Sequence, residues 1–273
     1  MTHDSAAGDT AQPILAPIAG WYGKLPCLGD FASRRLPPEF IALWDAWLQR
    51  SIAASRRQLG ERWLDCFLTS PMWRFLLAPG LCGNYAWAGV MLPSVDKVGR
   101  YFPLTLVLPV ERCDGSLAHV FGADTWYAEL ERIGLAALNV DFSPDQLEAA
   151  LAQNPFPPRR RASAQDTVAR DVADWLGASS QPRVFQILSG DSIGEVMEDA
   201  AQALYAASAA GKTFWWSVSE ESTATESHCT PGLPPEEYFA VLLGTTPQAA
   251  ALPADPLKAF GFEHAADGPA PAR

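Results

Sequence analysis

From Pro38 onward the bulky positions recur with a helical period. Phe40, Trp44, Trp47/Leu48, Ser51/Ile52 and Ser55 share one face, while Asp45, Gln49, Arg50 and Arg56 fall mainly elsewhere. Pro38 suits a first helical position, so the pattern predicts an amphipathic helix of about five or six turns. The period then changes. MWRFLLA (72–78), YAWAGVML (85–92) and FPLTLVLPV (102–110) are short apolar or alternating runs bounded by the turn-rich PGLCGN and PSVDKVGR. Three such runs with short connections predict an antiparallel meander. A second helix is expected over 125–138, with Trp126, Leu130, Ile133 and Ala137 on one face. Ser143-Pro144-Asp145-Gln146 reads as a capping box that opens a short helix ending at Asn154-Pro155. Further on, RVFQILS (183–189) and TFWWSVS (213–219) read as strands. A capping box at Ser192–Glu195 opens a helix to about Ala209, stopped by Gly211, and a short helix over 235–243 ends at Gly244. Strands grouped in a meander between helices predict a sheet covered by helices on one or both faces.

Composition divides the 273 residues further. Residues 1–17 are Ala/Asp/Pro-rich and read as a disordered lead-in, and 247–273 as a loose tail. NPFPPRRRASAQ (154–165) cannot continue a helix or a central strand, so it reads as a linker or surface loop. That leaves a main sheet-and-helix domain over 18–153 and a C-terminal α/β part over 166–246 packing on the same domain. The net charge of -11 argues against general nucleic-acid binding. Charges or prolines interrupt every apolar run, and the N-terminus lacks a basic start followed by an apolar stretch. The five scattered cysteines form no CxxC and read as reduced thiols. Together these features predict a cytoplasmic protein.

GWYGKLPCLGDFASRR (20–35) invites comparison with a phosphate-binding loop. That chemistry needs a wider glycine spacing, a hydroxyl after the lysine and a helix start. Here Gly20 and Gly23 are too close, and Lys24 runs into Leu25-Pro26. A short strand entering a turn is the better reading. His228 adjoins Cys229, but neighbouring side chains diverge, and the remaining His and Cys lack nucleophile or metal-ligand spacing. No cofactor and no metal are expected. Asp30, Arg34 and Arg35 follow the first strand, while Asp96, Lys97 and Arg100 sit in PSVDKVGR. Either each Asp caps its own turn and the loops share ion pairs, or both loops meet at one sheet edge as a recognition surface.

These stretches resemble the TagF (ImpM) family of bacterial type VI secretion accessory proteins. The matching residues are Gly23, Lys24, Leu25, Pro26, Gly29, Asp30 and Phe31; then Trp44, Asp45 and Trp47; then Pro93, Ser94, Asp96, Gly99, Arg100, Phe102, Pro103 and Leu104. FWWS and GLPPEEYFAVLL are similar to the family's C-terminal part. The resemblance implies an α+β fold, a three-layer α/β/α sandwich around a largely antiparallel sheet. It also implies a non-enzymatic, post-translational negative regulator that acts through protein contacts with secretion proteins, above all the forkhead-associated scaffold protein. Lys24, Asp30, Arg34, Arg35, Trp44, Trp47, Ser94, Asp96 and Arg100 are then the partner-binding or structural signature. The alternative is a small hydrolase-like enzyme using Asp30 and Asp96 as paired carboxylates with Lys24 or Arg100.

Overall fold

The computed structural model describes residues 17–110, 117–157, 165–178, 182–186, 192–218 and 225–245. The amphipathic pattern becomes α1 (Pro38–Leu59), with proline at its first position and Gly60 at φ 55 beyond its end. A short α2 (Trp63–Leu68) follows. The three apolar runs become β3 (Trp73–Leu77), β4 (Ala86–Leu92) and β5 (Leu104–Val110), paired antiparallel in sequence order as the spacing predicts. Before them lie β1 (Gly20–Gly23) and the three-residue β2 (Ala32–Arg34). After them come α3 (Leu117–Phe121), α4 (Asp124–Ala136) and α5 (Pro144–Ala152), the last with a complete Ser143/Gln146 capping box. The remainder is α6 (Gln165–Ala178), α7 (Ile193–Ala209), β6 (Lys212–Ser217), β7 (Glu226–Pro231) and α8 (Phe239–Leu242).

Among the described residues the seven strands form one antiparallel sheet in the order β2-β1-β5-β4-β3-β6-β7. Its central strands are buried on both sides, which explains why they read as near-continuous apolar runs rather than as clean alternation. One face packs Trp21, Leu76, Val90, Leu104 and Leu106 against Trp126, Tyr127, Leu130 and Leu147 of α4 and α5. The other packs Phe75, Trp87, Val107 and Trp215 against Phe40, Trp44 and Trp47 of α1 and Phe239 of α8. Two helical layers thus sandwich the sheet, an α+β fold. On the β4–β5 seam a Cβ on Gly89 would stand 2.2 Å from the Leu106 carbonyl, so the close strand approach requires glycine there.

Some expectations fail locally. RVFQ, expected to begin a strand, forms none over 182–186, and Val184 is 87% exposed; positions 187–189 lie outside the described residues. No neighbouring strand edge takes up this segment, so β propensity had nothing to pair with. At α7 the Ser192 side chain accepts from the Gly194 amide, without the reciprocal half of a capping box. β2, β7, α2 and α3 carry too short, too polar or too proline-adjacent a pattern to be expected; α6, also unexpected, does carry a helical stripe in Val168, Val172 and Trp175. The lead-in up to residue 16 and the tail over 247–273 fall outside the described residues, as do positions 158–164 of the 154–165 stretch.

Trp44 stacks on Phe40, Phe75 and Trp215, and its indole N–H donates to Thr105 Oγ1 at 3.0 Å. Trp44→Ala removes a fully buried side chain and leaves Thr105 without that donor. It is expected to cost about 4 kcal/mol in urea unfolding, whereas Gln49→Ala, on the exposed face of the same helix, stays within about 0.5 kcal/mol.

Candidate functional site at two clamped loops

β1 ends in a backbone that only glycine tolerates. Gly23 has φ 137, and a Cβ on it would lie 2.2 Å from the Pro103 carbonyl oxygen. This approach carries the following residue under the β4–β5 loop. Ser94 Oγ donates to the Lys24 carbonyl at 2.7 Å, and Lys24 Nζ reaches Asp96 Oδ2 at 2.5 Å. Both side chains are almost fully shielded from solvent. Asp96 also accepts the backbone N–H groups of Val98 (3.0 Å) and Arg100 (2.8 Å) on Oδ1, and Arg100 Nε at 2.7 Å on Oδ2. It therefore caps its own turn and binds the lysine of the other loop at once. Two further bonds close the seam: Lys97 N–H donates to the Leu28 carbonyl (2.8 Å), and Arg100 Nη2 to that of Gly29 (2.5 Å).

Burial alone would raise the Asp96 pKa, but the donors from Lys24, Arg100 and the Val98 amide outweigh it and hold the carboxyl well below the usual range. A depressed folded-state pKa contributes stability that is fully present above the ordinary carboxylate pKa of about 3.9. That contribution is lost as the pH falls toward the folded value.

Above the clamp lies an exposed patch. Phe31, 42% exposed, stacks on Tyr22 with ring centroids 5.9 Å apart, meets Phe102 edge-on at 4.7 Å, and has Lys24 Nζ 4.6 Å from its ring centre. Val98, on the facing loop, is 68% exposed and follows exposed Lys97 in sequence. Arg100 shows its guanidinium to solvent, 3.9 Å from Asp30, whose carboxylate caps the Phe31 amide at 2.8 Å. Tyr22 also donates its hydroxyl to Asp45 on α1, and burial together with that carboxylate pushes the phenol pKa up.

The remaining signature residues separate by place. Trp44 and Trp47 are core; the Trp47 indole donates to the Pro234 carbonyl at 2.8 Å. Arg35, the one described non-glycine residue at positive φ (59°), donates to the Ala19 carbonyl at 2.7 Å and pairs with Glu148 of α5. Glu148 also accepts the Trp21 indole N–H at 2.5 Å. Arg34 stays exposed on β2 and donates to the Ser33 carbonyl; it stands opposite Trp21 in the register, on the α4–α5 face of the sheet and not beside Phe31. Sequence reasoning missed Glu148, 113 positions from Arg35, and Arg74, which is buried on β3 and held in a fork by Glu131 at 2.8 Å through both Nε and Nη2. The one signal for Arg74 was a charge inside an apolar run.

The paired-carboxylate geometry is not met, because Asp96 is buried and saturated by donors while Asp30 stands in solvent. Among the described residues no group of three or more His, Cys, Asp or Glu could hold a metal. His228 is occupied by Tyr238 (2.7 Å) and Glu226 (2.9 Å), and burial pushes the Cys82 thiol up to about 11.

Two outcomes follow from the clamp. Lys24→Met leaves Asp96 with Arg100 as its sole cation, and is expected to cost about 3 kcal/mol, a Tm decrease of roughly 6–12 °C. In an acid titration the parent loses stability steeply below about pH 4, and Asp96→Asn flattens that loss as followed by thermal unfolding.

A family model described as TagF N-terminal domain, type VI secretion system-associated, matches residues 20–154, which span β1 to α5 and hold both loops. No curated protein matches the chain. Among solved structures it is similar to PA0076 from Pseudomonas aeruginosa PAO1, determined at 2.05 Å resolution. That likeness has a TM-score of 0.65 at 34% sequence identity, and covers 87% of this chain and 100% of the other. With the two loops in place and these likenesses, the chain belongs to the TagF family of type VI secretion system-associated proteins.

Proposed function

We propose that this protein is a cytoplasmic, non-catalytic negative regulator of type VI secretion that works by gripping a secretion protein, the forkhead-associated scaffold first among them. The observation that carries this reading is the exposed patch of Phe31 and Val98, with Lys97 and Arg100 on the same loops, which the Lys24–Asp96 pair holds in one conformation. A prearranged aromatic anchor with cationic neighbours suits an acidic or phosphorylated loop of a partner, because little ordering entropy remains to be lost on binding. The local cations matter more for standing on a chain of net charge -11. Family membership supports the secretion-system setting. The consumption of Asp96 in the clamp favours a contact surface over hydrolysis. No helix among the described residues is long and apolar enough to cross a membrane.

Val98→Glu tests the reading, since this side chain is exposed and the substitution sets a negative charge against an acidic partner. The variant is expected to melt within about 2 °C of the parent. It should also lose both co-purification with the scaffold protein and repression of secretion in a strain with an intact cluster. Retention of both by a folded Val98→Glu protein would exclude this face.

A further inference from the structure

A second surface lies outside the matched N-terminal region. α6 and α7 build a small core of their own from Ala169, Val172, Ala173, Val196 and Ala200, and Gly177 of α6 lies close under Leu204 of α7. The inner face of α7 is therefore satisfied. Its outer face should be polar in a helix with no further neighbour. Instead Ile193 (64% exposed), Met197 (43%), Ala201 and Tyr205 (45%) follow one another at every fourth position, all exposed. Such a row is an i±4n ridge about 18 Å long, the kind that seats in the groove of a crossing helix. Its lower end reaches the body of the molecule, where the Tyr205 ring stands 6.3 Å from Phe121 of α3.

The charge around the ridge selects the occupant. α7 carries Glu195, Glu198 and Asp199 and no basic residue; on α6 exposed Asp174 adds to them, while Asp171 is met by Arg183 at 3.8 Å and Arg170 is the one cation of the helix, so the pair of helices stays acidic. A second copy would set like charges against one another across a shared ridge, on a chain already at -11. We propose that the outer face of α7 docks an amphipathic helix of another protein, one whose apolar stripe is flanked by lysine or arginine. Met197 supplies an adaptable apolar contact and Tyr205 a rigid amphipathic one, while Glu198, three residues before Ala201 and so beside the ridge, meets a flanking cation. This surface is separate from the loop patch and does not depend on it.

The 273-residue chain can be titrated against a fluorescent synthetic 18-residue helix with leucine along one stripe and lysine on both flanks. The controls are a scrambled peptide of equal composition and the variants Met197→Asp and Glu198→Lys. Both substitutions are exposed, and circular dichroism confirms that each variant is folded. Saturable binding to the stripe peptide is expected, at least about tenfold weaker for the scrambled peptide and for each variant. Equal binding of the two peptides, or undiminished binding to Met197→Asp, overturns the proposal by reducing the contact to general charge attraction. A concentration-dependent dimer in sedimentation analysis that Met197→Asp abolishes also overturns it, because a second copy then covers the ridge.

Discussion

The buried pair of Lys24 and Asp96 decides where two glycine-rich loops sit. Each charge alone would be costly to shield from water, so neither loop can leave the other without stranding one. The pair's contribution is conformational more than energetic. Asp96 divides its four donors between its own turn and the facing loop, so closing the turn and joining the loops become one event. Buried ion pairs are weak evidence for stability, but a single well-satisfied pair can select one arrangement among several. Here it selects one that leaves Phe31 and Val98 in water above the seam.

The rest of the molecule supplies the platform. The aromatic layer under α1, from Phe40 through Trp44 and Trp47 to Trp215, ties helix to sheet, and its indole N–H groups end on Thr105 and the Pro234 carbonyl. Tyr22 extends that layer to the loops: its ring lies under Phe31 while its hydroxyl is held by Asp45 of α1. On the opposite face Glu148 joins α5 to both Trp21 and Arg35, fixing the strand that leads into Lys24. The loops are thus supported from both sides of the sheet. Core tryptophans and exposed loop residues belong to the same signature for different reasons: the first build the platform, the second stand on it.

What was legible in the chain follows from the physics of each signal. α1 and the β3–β4–β5 meander announce themselves because burial on a helix stripe, or on both sides of a central strand, forces periodic or continuous apolarity. The Ser143 cap is local and was readable as such. β7 was not, because an edge strand half in solvent can be as polar as Glu-Ser-His-Cys-Thr-Pro. RVFQ misled for the opposite reason, being strand-like residues without a partner strand. At the site, the two loops and their charges were visible, along with the choice between ion pairing and recognition. The structure gives Asp96 and Lys24 to the clamp and Asp30 to solvent, with Arg100 shared between them. Glu148 and Glu131 were out of reach, since pairing across 113 or 57 positions leaves no local trace.

The clamp is tested most directly by amide hydrogen exchange, compared between the parent and Lys24→Met at a pH and temperature where both are folded. If the pair holds both loops, protection falls together over residues 25–31 and 95–101, including the Val98 and Arg100 amides on Asp96, while β3, β4 and β6 keep theirs. Unchanged protection in both loops, or its loss in one alone, would show that the loops keep their places without the pair.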